Sequence, residues 1–227
     1  MRKLDLYSCA GGAAKGYKLA GYDEVVGVDL FPQKNYPFTF VQADALEFMD
    51  SLLADDGRFG YQLGDFDSIH GSPPCHDHTP LTAVAGVDGT AWLLAATRER
   101  FIASGLPWVI ENVPGAPMRT DLLLCGHMFG LRTQRHRWFE LSPRAGIVPP
   151  LPHVHRPGVK TATKQRRQRW DEGWDVSVTG DVGVYVGPEA LGIDWMTGNE
   201  LSQAIPPAYT RYIGEFLLDT LSAEAAA

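Results

Sequence analysis

The amino-acid sequence predicts an α/β protein built on a doubly wound, mostly parallel β-sheet. Short β-rich runs alternate with helical patterns through the first 140 residues, as expected for repeated β–α–β units. The predicted strands are residues 4–7, 25–29, 38–42, 67–70, 108–111 and 137–141, and the predicted helices are residues 13–20, 45–54 and 90–104. Acidic and other polar residues follow the predicted strands directly. In such sheets, ligands bind outside the carboxyl ends of the strands.

The length of 227 residues suits one medium domain, or one domain with a small insertion. We assign residues 1–141 and 187–227 to the main domain and residues 142–186 to a small, partly irregular insertion. Five prolines and the basic tract KTATKQRRQRW lie in that insertion. The glycine-punctuated stretch TGDVGVYVG offers one or two further strands, and helical patterning returns over 188–222.

Cysteine usage and hydropathy indicate a cytoplasmic protein. No apolar run approaches the roughly 18 residues that cross a bilayer, and no apolar stretch of a secretory signal follows the basic start of the sequence. The three cysteines, Cys9, Cys75 and Cys125, are an odd number and are expected to be reduced thiols.

The net charge of −7 conceals an uneven distribution. Residues 132–169 hold ten Arg or Lys residues and one acid, which gives +9, whereas the rest of the chain carries −16. An acidic body with one basic segment can bind a polyanion through that segment. A solvated basic loop is the alternative interpretation.

The segment LDLYSCAGGAAKG is a strand that enters a glycine turn and then a helix. Glycine permits close backbone approach, and a helix N-terminus offers free N–H groups. Asp29 and Asp44 end the second and third predicted strands, where acids suit the hydroxyls of a ribose. This pattern favours an adenosine without phosphates, and a tight turn with surface acids is the alternative.

The segment DSIHGSPPCHDHTP places Cys75 after two prolines at the end of a predicted strand. The prolines fix the backbone on the approach to the cysteine and remove two amide donors. A cysteine in a polar loop at a strand end is a candidate nucleophile, and a buried, inert thiol is the alternative.

Zinc binding is a competing interpretation of the same segment. Cys75, His76 and His78 are potential ligands, with His70, Cys125 or His127 as further donors. No C-x-x-C pair accompanies them, so no metal site is predicted.

Two further segments carry charged residues. In WVIENVPGA, Glu111 follows three apolar residues, and an apolar setting raises the pKa of a carboxyl so that it can hold a proton. In QRHRWFEL, Arg135 and Arg137 lie two residues apart on one face of a strand, where they suit an anion or a carbonyl. Structural ion pairs are the alternative for all three side chains.

In this order and spacing, the segments resemble the motifs of the cytosine-5 DNA methyltransferase family, in a short phage- or bacterial-type form. DLYSCAGG is similar to the cofactor motif, PPCH to the Pro-Cys loop, ENV to the Glu-Asn-Val motif and RHR to the Arg-x-Arg motif. ELSQAIPPAYTRYIGEFLL resembles the last motif, whose helix packs beside the first strand. The resemblance covers residues 1–141 and 188–220 and leaves the middle of the chain unmatched.

The resemblance implies a Rossmann-like, S-adenosylmethionine-dependent methyltransferase with a reduced target-recognition insertion. Cys75 would add to carbon 6 of a flipped-out cytosine in double-stranded DNA, Glu111 would protonate or hydrogen-bond N3, and carbon 5 would take the methyl group. Arg135 and Arg137 would hold the base's O2 and the neighbouring backbone, and no metal is required. The cofactor positions are Tyr7, Ser8, Cys9, Ala10, Gly11, Gly12, Asp29, Leu30, Asp44, Ala45, Pro73, Gln203 and Ala204, and the expected DNA contacts are Lys160, Lys164, Arg166, Arg167 and Arg169.

Several positions depart from the family's pattern. Cys9 replaces a usual glycine, His76 replaces a usual glutamine, and Ser202 and Gln203 stand where Gly-Asn is usual. The Cys9 substitution predicts a slightly different backbone path in the cofactor turn. The insertion of about 45 residues is short for target recognition, which implies a short or relaxed recognition site or a partner subunit.

Three alternative functions stay open at this stage. They are cytosine-5 methylation of tRNA, transfer of a modified one-carbon group, and a catalytically silent nucleic-acid-binding module. The oligomeric state is also open, a monomer included.

Overall fold

The computed structural model describes residues 1–74, 89–162, 167–178 and 186–226. The strands are β1 (Arg2–Leu6), β2 (Glu24–Asp29), β3 (Thr39–Gln42), β4 (Ser68–Gly71), β5 (Trp108–Asn112), β6 (Leu122–Leu124), β7 (Arg137–Leu141), β8 (Thr161–Ala162) and β9 (Asp175–Val176). The helices are α1 (Gly12–Ala20), α2 (Ala45–Ala54), α3 (Gly89–Ser104), α4 (Arg167–Asp171), α5 (Gly187–Leu191), α6 (Gly198–Gln203) and α7 (Pro207–Ala225).

Strands β1 to β7 form one sheet in the order β3-β2-β1-β4-β5-β7-β6. The pairs among β1 to β5 are parallel, whereas β7 runs antiparallel to both β5 and β6. Strands β2 and β3 are added in sequence on one side of β1, and the chain then returns to place β4 and β5 on its other side. The carboxyl ends of β1 and β4 therefore meet at the switch point where doubly wound sheets bind their ligands.

Apolar side chains on the two sides of the sheet form two separate cores, because successive strand residues point to opposite faces. One core joins α1 and α7 to residues such as Val25, Val109 and Phe139. The other joins α2 and α3 to residues such as Leu6 and Ile110. Helices thus cover both faces, which is why strands such as β2 and β5 are buried along nearly their whole length.

A third apolar cluster lies outside the sheet. It joins Trp170, Val176 and Val178 of the 142–186 segment to Leu191 and Leu201 of α5 and α6. Short elements organise the segment, including α4 and the parallel pair of β8 with β9. None of the helices in the described ranges is long and apolar enough to cross a membrane.

The predicted fold class is confirmed, and every predicted strand and helix of the first 141 residues is present with small shifts at the ends. The sequence interpretation missed β6, because three leucines after a proline-rich turn are too few to establish a period. The strands suggested for TGDVGVYVG fall mostly on residues outside the described ranges. The division into residues 1–141 with 187–227 and an insertion stays a prediction.

Helices α1 and α7 pack with their backbones in close contact. A Cβ atom at Gly16 would lie 2.0 Å from Thr210 Oγ1 and 2.2 Å from the Pro207 carbonyl oxygen. The Thr210 hydroxyl donates a hydrogen bond to the Ala13 carbonyl at 2.8 Å. The last helix is thereby held against the helix that follows the glycine turn.

We expect Gly16→Ala to destabilise the protein, because the methyl group would force α7 away from α1. Overpacking of this kind costs about 1–3 kcal/mol, measurable as a lower urea midpoint. Gly64→Ala is the matched control, since a Cβ there meets nothing within 4 Å. Equal stability of the Gly16 and Gly64 variants would contradict the close helix contact.

Candidate active site

The turn between β1 and α1 has a left-handed backbone at three nearby residues. The φ angles of Tyr7, Cys9 and Gly11 are 57°, 43° and 87°. Cys9 therefore adopts a conformation that normally favours glycine. Tyr7 shares this conformation, so the turn holds two side chains in a backbone region that favours glycine. Ser8, which is buried, donates its N–H to the Val28 carbonyl at 3.1 Å.

Two carboxylates border this turn. Asp29 ends β2 and accepts the Cys9 N–H on Oδ2 and the Phe31 N–H on Oδ1, both at 3.0 Å. Asp44 caps α2 by accepting the N–H groups of Leu46 and Glu47 on Oδ1. Asp29 thus shapes the turn from the neighbouring strand, and the cap leaves Asp44 Oδ2 unused by these bonds.

The other predicted cofactor residues surround the same turn. A Cβ atom at Gly12 would lie 3.2 Å from the Ala204 Cβ, and Cys9 Sγ lies 3.6 Å from Gln203 Oε1. The Trp195 indole donates to the Ala10 carbonyl at 2.8 Å. The structure therefore brings the C-terminal motif against the first turn, although the two are about 190 residues apart in sequence.

Apolar side chains lie at the outer edge of this region. Leu30 and Phe31 are 42% and 53% exposed, whereas Ala45 and Pro73 are buried. The sequence interpretation did not include Phe31, although an exposed aromatic residue next to the Asp29 carboxylate would suit a planar base. The Tyr7 hydroxyl makes a 2.8 Å hydrogen bond with Thr97 Oγ1 of α3, which fixes the aromatic ring.

Glu111 lies at the carboxyl end of β5 and is buried beside Arg137. The Arg137 Nε atom is 2.8 Å from Glu111 Oε1, but Oε1 receives no well-aligned hydrogen bond from the described residues. The contact is therefore an ion pair that lacks hydrogen-bond geometry. Burial raises the pKa of the Glu111 carboxyl, opposed by Arg137, by a Ser72 hydrogen bond and by Arg135.

The neighbouring Asn112 holds the start of the Pro-Pro-Cys loop. Its side-chain amide is buried and donates to the Pro73 carbonyl at 3.0 Å, while its Oδ1 accepts the Val113 N–H at 2.8 Å. Cys75 itself lies outside the described residues, as do His76 and His78. The residue next to Glu111 thus holds the backbone two residues before Cys75.

Arg135 is buried and makes two structural contacts. Its Nη1 donates to the Val178 carbonyl and its Nη2 to the Ser202 carbonyl, both at 2.7 Å. The Tyr209 hydroxyl donates to the Arg135 carbonyl at 2.5 Å. Burial lowers the pKa of Arg135 to about 9, with Arg137 acting in the same direction. Arg135 therefore bridges the 142–186 segment and α6, a function the sequence did not predict.

A buried polar layer lies beneath Glu111. His70 bonds the Tyr17 hydroxyl through Nδ1 at 2.9 Å and Ser72 Oγ through Nε2 at 3.0 Å. Burial raises the pKa of Asp5 to about 8 and lowers that of Lys3. Both ring nitrogens of His70 are therefore engaged within this layer. Lys3 and Asp5 lie two residues apart in the first strand and therefore point to the same face of the sheet. These two charged residues on one face of the strand were the sequence signal for the buried polar layer.

Two of the predicted DNA contacts lie together on the surface of the 142–186 segment. Lys160 Nζ and the Arg169 guanidinium are 5.2 Å and 5.0 Å from the centre of the Trp174 ring. Lys164 and Arg166 fall outside the described residues, and Arg167 begins α4. Basic and aromatic groups are thus interleaved at the described part of this surface.

The comparisons with known proteins agree with this architecture. A candidate DNA modification methyltransferase encoded within a prophage (E. coli) superposes with a TM-score of 0.65 at 14% identity, covering 98% of this chain and 99% of that one. The chain has a methyltransferase fold. The predicted resemblance to DNA methyltransferases is confirmed at this level.

Sequence similarity extends over a shorter stretch. The chain is 31% identical over 77 residues to the Type II methyltransferase M.DdeI of Desulfomicrobium norvegicum, a match that covers 33% of this chain and 18% of that protein. The Dnmt2 methyltransferase of S. pombe superposes with a TM-score of 0.38 at 19% identity, over 62% of this chain and 48% of that one. No family model matches the sequence.

The raised pKa of Glu111 predicts a specific pH dependence of folding stability. A carboxyl that binds its proton more tightly when folded stabilises the protein below its unfolded value of 4.5, and this stability is lost as pH rises through the folded pKa. Glu111→Gln keeps the shape and cannot ionise. We therefore expect the variant to lose less stability than the native protein as pH rises from 4.5.

The measurement is the free energy of unfolding in urea at several pH values. The difference between native protein and Glu111→Gln isolates the carboxyl from the other titrating groups. Parallel stability profiles across this range would mean that Glu111 has an ordinary pKa.

Proposed function

We propose that this protein transfers a methyl group from S-adenosylmethionine to carbon 5 of a cytosine in DNA. The observation that carries the proposal is the arrangement at the end of β5. There Glu111 is buried, with its pKa raised by burial, and contacts Arg137, while the adjacent Asn112 holds Pro73 on the approach to Cys75. A general acid, a cation and a nucleophile loop would thus meet at the switch point of the sheet.

The residues around the first turn fit S-adenosylmethionine. The backbone approaches closely there, since a Cβ atom at Gly12 would lie 2.6 Å from the Ile205 carbonyl oxygen. Asp29 and Asp44 offer carboxylate oxygens, which suit hydroxyl and amine donors and repel phosphates. Tyr7 and Leu30 supply apolar surface beside them. When bound, the cofactor supplies an electrophilic methyl group on a sulfonium.

The protein's task in this chemistry is to make carbon 5 nucleophilic. The Cys75 thiolate would form a bond to carbon 6 of the base, and the ring electrons would move toward N3 as Glu111 donates its proton there. Carbon 5 would then use the resulting enamine electrons to bond the methyl group, whose bond to the sulfonium sulfur breaks and leaves a neutral thioether. Loss of the carbon-5 proton to a base, water-assisted, returns electrons to the ring and expels the thiolate.

Arg137 and Asn112 position these groups. Arg137 limits the rise in the pKa of Glu111, so the carboxyl can release its proton and take it back within one cycle. Asn112 fixes the loop that carries the nucleophile, because its amide contacts the backbone two residues before Cys75. Both Nη atoms of Arg135 donate hydrogen bonds to carbonyl oxygens. Arg137 would therefore be the cation that contacts the reacting base.

Reaction at carbon 6 requires the target base to leave the stacked duplex. Flipping costs a few kcal/mol, and contacts with phosphates can offset it. Lys160 and Arg169 beside Trp174 are suited to this, since they place two cations next to an aromatic surface. The chain outside residues 132–169 is strongly acidic and would repel DNA. We therefore expect DNA to bind through this basic segment alone.

The nucleophile is tested with a mechanism-based substrate. Carbon 5 of 5-fluorocytosine has no proton to lose, so the enzyme stays covalently attached after methyl transfer. We expect duplex DNA with 5-fluorocytosine to form a denaturation-resistant adduct when S-adenosylmethionine is present. Peptide mass spectrometry should locate the bond at Cys75, and Cys75→Ser should form no adduct.

A tRNA transcript with 5-fluorocytidine is the competing substrate in the same assay. An adduct on tRNA and none on DNA would mean that the substrate is tRNA and not DNA. An adduct-free native enzyme that still methylates unmodified DNA would contradict the covalent mechanism.

The cofactor is tested by thermal shift. S-adenosylmethionine should raise the melting temperature, because a ligand that binds only the folded state stabilises it. Asp29→Ala should reduce this increase, since hydrogen bonds to a charged acceptor contribute about 1.5–3 kcal/mol. NAD serves as the control dinucleotide. A shift with NAD and none with S-adenosylmethionine would contradict the cofactor assignment.

A further inference from the structure

Four metal-binding side chains from distant parts of the sequence converge beside the sheet. Cys125 follows β6, His136 precedes β7, and His153 and His155 belong to the 142–186 segment. Their ligand atoms all lie within 4.8 Å of one another. Cys125 is buried, His136 is half-buried, and the other two imidazoles are exposed.

The three imidazoles approach each other through the same nitrogen. The Nε2 atoms of His136, His153 and His155 are mutually 3.0 Å apart. A ring nitrogen is either a donor or an acceptor, never both at once. In a triangle, at least two corners must then be of the same kind and repel each other. Hydrogen bonding alone therefore cannot satisfy all three contacts, whatever the protonation states.

A cation just outside the plane of the triangle removes this conflict, because all three nitrogens then donate their lone pairs to it. An equilateral triangle with 3.0 Å sides has points on either side of its plane that are about 2.1 Å from every corner, the usual Zn–N distance. We propose that Cys125, His136, His153 and His155 form a zinc site. One thiolate and three imidazoles are the borderline ligands that zinc prefers.

The surroundings of the cysteine support metal binding. Backbone N–H groups of Gly126 and His127 donate hydrogen bonds to the Cys125 sulfur, as suits a thiolate ligand. His127 is not a fifth ligand, because its Nε2 contacts Asp175 at 2.5 Å and its Nδ1 accepts the Arg156 N–H. The ligand set is thus separate from the neighbouring His127–Asp175 pair.

Four protein ligands leave no open position, so the site is structural and not catalytic. Its location indicates which parts of the chain a bound metal would hold together. His136 lies between Arg135 and Arg137, and His153 and His155 lie at the start of the 142–186 segment. The metal would therefore fasten that segment to the strand that presents Arg137 to Glu111. The sequence interpretation predicted no metal, and this proposal departs from it.

The test is the metal content of the full chain, purified without a metal-affinity tag. We expect one zinc ion per chain by elemental mass spectrometry. After exchange with cobalt, we expect the visible absorption of a tetrahedral site and a near-ultraviolet thiolate-to-cobalt band. Chelation should lower the melting temperature, since metal binding contributes to folding.

Two variants distinguish this site from a metal site around Cys75. His153→Ala/His155→Ala changes exposed residues and should lose the zinc and the visible cobalt band, while circular dichroism confirms that it folds. His78→Ala is the matched control, because His78 belongs to the alternative ligands around Cys75, and it should keep both. Native protein that binds neither metal, or a double variant that binds as tightly as native protein, would overturn the proposal. So would equal loss in both variants.

Discussion

The antiparallel pairing of β7 with β5 is the constraint on which the candidate site depends. In its register Glu111 lies opposite Phe139. Arg137 is two residues from Phe139 on the same face of the sheet, where its side chain reaches the buried Glu111. Arg137 opposes the effect of burial on this carboxyl and so limits the rise in its pKa. The same pairing sets Asn112 beside the Pro-Pro-Cys loop. One strand contact thereby positions Glu111, Arg137 and the backbone that leads to Cys75.

The site has two halves that meet because of the chain's winding order. The first turn and Asp29 come from the β1 side of the switch point, whereas Glu111 and the Pro73 contact come from the β4 side. Helix α7 then closes the first half by packing on α1 at Gly16. A methyl donor on one side and a reacting base on the other would face each other across the carboxyl ends of the strands.

The sequence predicted most of the sheet and the location of both halves, because the strands have strong periodicity and their polar residues fall at strand ends. It could not predict that Arg135 would bond carbonyls at Val178 and Ser202, since those partners are set by tertiary folding. The histidine cluster was missed for a similar reason. Cys125 and His136 are separated by ten residues, and no short spacing motif indicates ligands that three segments bring together.

The most direct test of the proposed function is the chemical identity of the modified base. The protein would be expressed in a host without cytosine methylation of its own, and the host DNA digested to nucleosides for chromatography and mass spectrometry. We expect 5-methylcytosine in the DNA, and none when Glu111→Ala is expressed instead. The appearance of N4-methylcytosine or N6-methyladenine would contradict attack from carbon 5, and with it the functions given to Cys75 and Glu111.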